Sequence, residues 1–209
     1  PRSTQGVSSA ASDVYKRQNL HHVELLKMKN RIIKFTLLTS VIFSQSWNTT
    51  FIGQLDYQQF VNDVWGYKAD NGKEYALVGT SLGTAVVDVT TNPFEPQQVG
   101  FITGDESIWR DIKYWNNHMY ISTEAEMGIQ VANITDPENP ELVYEWDGVS
   151  RAHNLFQADG YLYVVGADEG TDMEILDLTD PAVPVRVGGW STEYLHDVYV
   201  LSLIHISEP

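Results

Sequence analysis

Residues 173–184 read MEILDLTDPAVP, and the same pattern occurs twice earlier, as IQVANITDPENP at 129–140 and AVVDVTTNPFEP at 85–96. In each copy an alternating apolar run ends at Asp or Asn, and an Asp-Pro or Asn-Pro step follows. Alternation with period two predicts a half-buried strand. An Asx-Pro step begins a turn, and proline cannot donate to a strand ladder. Each copy therefore predicts a strand that leads into an edge connection.

The spacing of equivalent residues defines a repeat. Asp88, Asn133 and Asp177 close the three runs, at separations of 45 and 44 residues. A second set of anchors has the same step, with separations of 48, 43 and 43, and comprises Asp63, Asp111, Asn154 and Asp197. A period of 43–48 residues with four strand-like pieces is typical of a propeller blade. The sequence predicts an all-β chain, a β-propeller fragment of about three four-stranded blades plus the start of a fourth. A β-sandwich fits less well, because its strands need not repeat in sequence.

The second repeat shows the predicted division into strands most clearly. Its four strands are predicted at Trp109–Trp115, His118–Thr123, Gly128–Asn133 and Glu141–Trp146. Tight turns that need a positive φ are predicted at Asn116-Asn117, Asp159-Gly160 and Asn71-Gly72. No sustained helical period follows residue 46, so no substantial helix is predicted there.

Composition limits the classes of function. Apolar residues make up 43% of the 209-residue chain and charged residues 20%, which is typical of a globular protein. The absence of cysteine excludes disulfides and cysteine-based metal sites. The net charge is −15, and residues 47–200 alone carry 6 Lys and Arg against 25 Asp and Glu. Such an acidic surface disfavours nucleic acid and anionic lipid as partners.

The two ends do not share the repeat. Residues 1–18 and the last nine residues resemble translated sequencing-adapter read-through, and residues 1–27 and 201–209 are expected to be non-native. Residues 28–46 have a basic start at Met28, an apolar run and a small-residue site near Ser46, which predicts a secretory signal peptide. The apolar run is too short to span a bilayer, so no transmembrane segment is predicted. The partial propeller is assigned to residues 47–200.

The strings NDVWGYKADNGKEYALVGTSLGTAVVDVT, WRDIKYWNNHMYISTEA, AHNLF and LHDVYV, with the Asx-Pro repeats, resemble the choice-of-anchor B family and its LVIVD-type propeller repeat. The resemblance covers about Phe60 to Val200. It implies a secreted or surface-attached bacterial protein whose C-terminus carries an interchangeable sorting or anchoring signal. No such anchor is recognised in this sequence, so it is expected to have been lost with the native C-terminus. The resemblance implies no particular activity.

Equivalent residues of successive blades converge near the axis of a propeller. The candidate channel-lining residues are those at or near the start of each first strand: Asp63, Arg110, Asp111, Arg151, His153, Asn154, His196 and Asp197. Among them, His153, His196 and Asp111 form a possible set of ligands for a divalent cation. The alternative is that each Asp or Asn accepts backbone amides and holds adjacent blades in register. Repetition in every blade favours this alternative.

Three functions are compatible with these features. The leading hypothesis is a non-enzymatic binding module for an unidentified surface ligand or protein, without a required cofactor. The alternatives are a hydrolase- or lyase-type enzyme with a His/Asp/Arg site at the channel mouth, and a structural surface protein. HExxH, Walker and GxGxxG motifs are absent. His118 is expected to be a surface or half-buried histidine, and Glu124 and Glu126 are given little weight because they share one loop.

Overall fold

A computed structural model describes residues 49–168 and 172–201 of the chain. The expectations for residues 1–27, 28–46 and 202–209 lie outside the described residues. Within the described ranges the protein is all-β, with twelve strands and no helix. Those ranges accordingly contain no helix that could cross a membrane. All twelve strands belong to the compact unit that begins at Ile52.

The strands form three antiparallel sheets of four, each hydrogen-bonded in chain order. Sheet 1 contains β1 (Val61–Lys68), β2 (Glu74–Thr80), β3 (Gly83–Asp88) and β4 (Gln97–Thr103). Sheet 2 contains β5 (Arg110–Trp115), β6 (His118–Thr123), β7 (Ile129–Asn133) and β8 (Glu141–Trp146). Sheet 3 contains β9 (Asn154–Ala158), β10 (Tyr161–Val165), β11 (Met173–Asp177) and β12 (Val185–Trp190). The strands predicted for the second repeat are confirmed to within one residue.

Backbone conformation confirms two of the predicted hairpin turns in full. Asn116 and Asn117 have φ of 44° and 60°, and Asp159 and Gly160 have φ of 51° and 80°. Two successive residues of positive φ give the turn whose twist matches that of paired strands, and Asn, Asp and Gly tolerate it best. In the first sheet only Gly72 of the predicted pair has a positive φ.

The repeated Asx residues close each third strand in the same way. The side chain accepts the backbone N–H two residues ahead, at 2.8, 2.8 and 2.6 Å, in Asp88, Asn133 and Asp177. A second turn of this kind follows at 3.2, 3.1 and 3.0 Å in Asn92, Asp136 and Asp180. Two side-chain-closed turns in succession end the third strand and direct the chain toward the fourth. The register between third and fourth strands also shifts at the equivalent point of all three sheets.

The sheets pack face to face through two apolar clusters. The first joins sheets 1 and 2 and includes Tyr75, Leu77 and Met119. The second joins sheets 2 and 3 and includes Tyr120, Leu155 and Leu162. Met119 and Tyr120 are neighbours on β6 and belong to different clusters, because successive side chains point to opposite faces of a strand. Sheet 2 is therefore covered on both faces, and the first strands β1, β5 and β9 lie side by side.

The outer faces of sheets 1 and 3 are less covered. On sheet 1, residues 53–61 lie over Val78 and Val87 and leave an apolar cavity of about 580 Å³. On sheet 3, Phe156, Tyr163 and Ile175 are half-buried neighbours across three strands. The Tyr199 ring contacts Phe156 edge-on at 4.8 Å. Residues 191–201, where a fourth blade is predicted to start, contain no strand.

Candidate binding cleft at the start of the first strands

Two repeated aspartates connect neighbouring sheets through the backbone. Asp63 accepts the amide of Ile112 at 3.0 Å, and Asp111 accepts the amide of Leu155. Ile112 follows Asp111 directly and Leu155 follows Asn154 directly, so both contacts join equivalent positions of successive repeats. Asp63 and Asp111 therefore hold adjacent sheets in register through backbone amides. This is the role that was weighed for the repeated acids as the alternative to a metal site.

A buried charge pair occupies the same region. Lys113 donates to Asp111 at 2.6 Å, and both side chains are at most 10% exposed. The Lys113 ammonium also lies 4.8 Å from the centre of the Trp65 ring. Burial and the neighbouring Asp63 carboxyl raise the pKa of Asp111 to about 6, although Lys113 acts in the opposite direction. Both oxygens of Asp111 are thus engaged, and the structure records no contact with His153 or His196.

Arg110 supports loops instead of lining an open channel. Its side chain is only 1% exposed. Its guanidinium donates to the Thr80 carbonyl at 3.1 Å and to the Asp105 carbonyl at 2.7 Å. Gly104 lies so close that a Cβ there would stand 2.6 Å from Nη1 of Arg110. The expectation that Arg110 faces a channel is corrected, since the close approach of the 104–105 loop buries it.

Four aromatic or imidazole rings form a row at this end of the sheets. The His153 ring lies 5.6 Å from Trp109 and 4.1 Å from His196, and the His196 ring lies 6.4 Å from Tyr194. Trp109 and His153 lie just before β5 and β9, and Tyr194 and His196 lie where the fourth repeat is predicted to start. Two of the candidate channel-lining residues, His153 and His196, thus lie in contact.

Each of the two histidines has a carboxylate partner. Nδ1 of His153 lies 2.7 Å from Oε1 of Glu124, and Nδ1 of His196 lies 2.7 Å from Oδ2 of Asp197. Sequence analysis assigned Glu124 little weight, but strand pairing explains why this residue lies beside His153. Thr123 pairs with Arg110, so the residue after β6 must lie at the end where first strands begin.

A second set of polar side chains lies beside this row of rings. Asp168 accepts the Ser150 amide at 2.6 Å and the Ser150 hydroxyl at 2.8 Å, and Arg151 lies 3.4 Å away. Although burial of Asp168 has the opposite effect, these donors lower the pKa of its carboxyl. The loop before β9 is thereby tied to the loop after β10, and Arg151 lies beside Asp168.

These groups surround an open cleft of about 410 Å³. Its lining residues are Glu124, Arg151, Gly166, Ala167, Asp168, Asp172 and Tyr194. The lining offers acceptors from three acids, donors from Arg151 and one exposed tyrosine ring, a combination suited to orienting a polar ligand. Among the described residues, no three or more His, Asp or Glu side chains are grouped so as to hold a metal ion.

The predicted site residues therefore divide between two roles. Arg151 lines the cleft, and His153, His196 and Asp197 belong to the row of rings and carboxylates beside it. Asp63, Arg110 and Asp111 make contacts between sheets, and Asn154 is the first residue of β9, opposite Val165. The sequence did not indicate Trp109 or Tyr194, because neither of them recurs at the repeat interval.

No protein-family model matches the chain, and no curated protein is significantly similar to it.

Proposed function

We propose that the three sheets are consecutive blades of a β-propeller that serves as a secreted or cell-surface binding module, with the 410 Å³ cleft as its ligand site. Chain-ordered sheets, adjacent first strands and recurring contacts between sheets support the propeller interpretation. The choice-of-anchor B resemblance and the signal-peptide pattern of residues 28–46 support export. Loops that adjoin sheets 2 and 3 converge on one polar, partly aromatic cleft, and this observation carries the binding role.

The charge of the cleft restricts the ligand. Glu124, Asp168 and Asp172 outnumber Arg151, and the whole chain carries −15. A polyanion would meet net repulsion, so an acidic ligand is disfavoured, and we propose a neutral, hydroxyl-rich ligand. Such a ligand offers donors to the carboxylates and acceptors to Arg151, and Tyr194 supplies an apolar face.

A glycan array tests this function. Labelled full-length chain is applied to neutral and to sulfated or phosphorylated bacterial glycans. We expect binding to neutral glycans only, with loss of signal in Arg151→Ala and Tyr194→Ala. Glu141→Ala, on exposed β8, is the matched control and is expected to bind normally. Preference for acidic glycans, or ordered self-assembly without binding of any glycan, would contradict the proposal; the second outcome favours a structural surface protein.

The pairing of His153 with Glu124 favours an enzyme as the second candidate. A carboxylate on Nδ1 orients an imidazole as a general base. The described residues show no hydroxyl hydrogen-bonded to His153, so a water molecule would have to be the nucleophile. A panel of esters, lactones and glycosides tests this candidate. Turnover that His153→Ala and His196→Ala abolish, without loss of the folded state, would replace the binding function by an enzymatic one.

Export is tested by fractionation. We expect a bacterium that expresses the chain from Met28 to release it from the cytoplasm, with a new N-terminus near Trp47. Mass spectrometry identifies that terminus, and an uncleaved cytoplasmic product would contradict export.

A further inference from the structure

Two imidazole rings from successive repeats lie against each other beside the cleft. The ring centres of His153 and His196 are 4.1 Å apart, and the ring planes are inclined by 49°. The His153 side chain is 16% exposed and the His196 side chain 59% exposed. One ring is therefore fixed by packing, and the other is accessible to solvent.

The hydrogen bonds of the two rings define which nitrogen is free. A carboxylate oxygen can only accept, so Nδ1 of each neutral ring carries the proton toward Glu124 or Asp197. The lone pair of each ring then lies on Nε2. No hydrogen bond occupies Nε2 of either ring in the described part of the chain. A carboxylate on one nitrogen and a free lone pair on the other is the arrangement that histidine ligands of metal ions adopt.

We propose that His153 and His196 together bind one divalent transition-metal ion of the zinc type through their Nε2 atoms. Imidazole favours zinc, nickel and copper over calcium and magnesium, which require oxygen ligands. Because no third His, Asp or Glu completes a group among the described residues, water supplies the remaining ligands. Such an open coordination sphere leaves positions for a ligand in the adjacent cleft. The inference goes beyond the proposed function, since it depends only on the histidine pair.

The geometry requires a small movement. Zinc–nitrogen bonds of about 2.0–2.1 Å at a tetrahedral angle set two ring centres roughly 5 Å apart. The ring centres are now 4.1 Å apart, so metal binding requires the two rings to move apart. His196 can provide this movement, because it is exposed and lies outside any strand.

Zinc titration by calorimetry tests the proposal. The full-length chain is used with His21, His22 and His205 replaced by Ala, because those histidines would otherwise compete for zinc. We expect one zinc ion per chain in this background, and at least tenfold weaker binding in His153→Ala and in His196→Ala. His118→Ala is the matched control, since His118 is 8% exposed and its Nδ1 lies 2.9 Å from the Asn116 carbonyl. Its affinity for zinc should equal that of the background.

The Glu124 carboxylate, which pairs with His153, gives a second test. Glu124→Gln removes the charge that orients the ring, and loss of such a partner typically weakens metal binding by about 10–100-fold. Glu126→Gln, two residues away on the same exposed loop, should have no effect. Thermal melts without metal show whether each variant is folded. Absence of zinc binding in the background, or equal affinity in the folded His196→Ala variant, would overturn the proposal.

Discussion

At the scale of single residues, the aspartates of the repeat act through backbone amides. Asp63 and Asp111 each accept an amide of the next sheet, and Asp88 accepts the amides of Thr90 and Thr91. An acceptor that satisfies a buried donor is costly to remove, because the donor then lacks any partner. Equivalent residues of successive repeats thus accept equivalent backbone amides.

Replacement of Asp111 tests the buried charge pair. Asp111→Ala leaves Lys113 without its hydrogen-bonded carboxylate and Leu155 without an acceptor. We expect the free energy of unfolding to fall by about 3–5 kcal/mol, the usual cost of breaking a buried ion pair from one side. Asp197→Ala, at an exposed equivalent position, should change it by less than about 0.5 kcal/mol. Urea denaturation measures both, and equal small losses would show that the pair contributes little.

Replacement of Asp88 tests the effect of pH. Burial tends to raise the pKa of Asp88, but hydrogen bonds from Thr91, Lys73 and Thr90 lower it well below its ordinary value. The ionised carboxylate therefore contributes stability above the unfolded pKa of about 3.9, and this stability is lost as the pH falls toward the lower folded pKa. We expect Asp88→Asn to keep the turn, because Asn133 accepts the equivalent backbone N–H in the second repeat.

We expect wild type to exceed Asp88→Asn in unfolding free energy at pH 7, and this difference to shrink below about pH 4. Urea denaturation at pH 7, 5, 4 and 3 measures it. A difference that stays constant over this range would exclude a contribution from the carboxylate charge.

At the scale of strands and turns, the sequence was most informative. The strand boundaries of sheet 2 follow from alternation and from turn residues, which act locally and need no knowledge of the rest of the chain. His153 and His196 share a phase of the repeat and were grouped among the candidate channel residues, and their rings lie 4.1 Å apart. Glu124 was missed because its partner depends on which strand end returns to the first strand, and local pattern does not carry that information.

The Asn116-Asn117 turn provides a prediction at this scale. Asn116 is exposed and has a φ of 44°, a conformation that β-branched residues avoid. We expect Asn116→Val to lower the unfolding free energy by about 1–2 kcal/mol, the usual cost of the left-handed region. Asn116→Gly should be neutral within a few tenths of a kcal/mol, because glycine adopts this φ freely. Thermal or urea denaturation compares the two, and equal stabilities would show that the turn relaxes.

At the scale of the whole molecule, sheet 2 differs from its neighbours. Each of its two faces packs against another sheet, whereas sheets 1 and 3 each have one partly covered apolar face. The repeat period predicted this stacking, but a period does not define how many sheets complete the structure.

The partly covered apolar faces of sheets 1 and 3 predict self-association of the chain. We expect the chain to sediment as concentration-dependent oligomers or to aggregate, because exposed apolar sheet faces pair with one another. Tyr163→Lys, on the half-buried face of sheet 3, should reduce association, whereas Val143→Lys, on β8 of the covered sheet, should not. Analytical ultracentrifugation measures both variants. A monomeric wild type with one sharp melting transition would contradict this prediction.

The two carboxylate contacts between sheets also give the molecule an order of assembly. In each, the acceptor is translated first, and its amide donor follows 49 or 44 residues later. At ribosomal rates of about 5–20 residues per second, each acceptor therefore waits roughly 2–10 seconds for its amide donor. A nascent chain can therefore add sheets from the N-terminus onward, and each newly made sheet docks onto one whose acceptor is already in place.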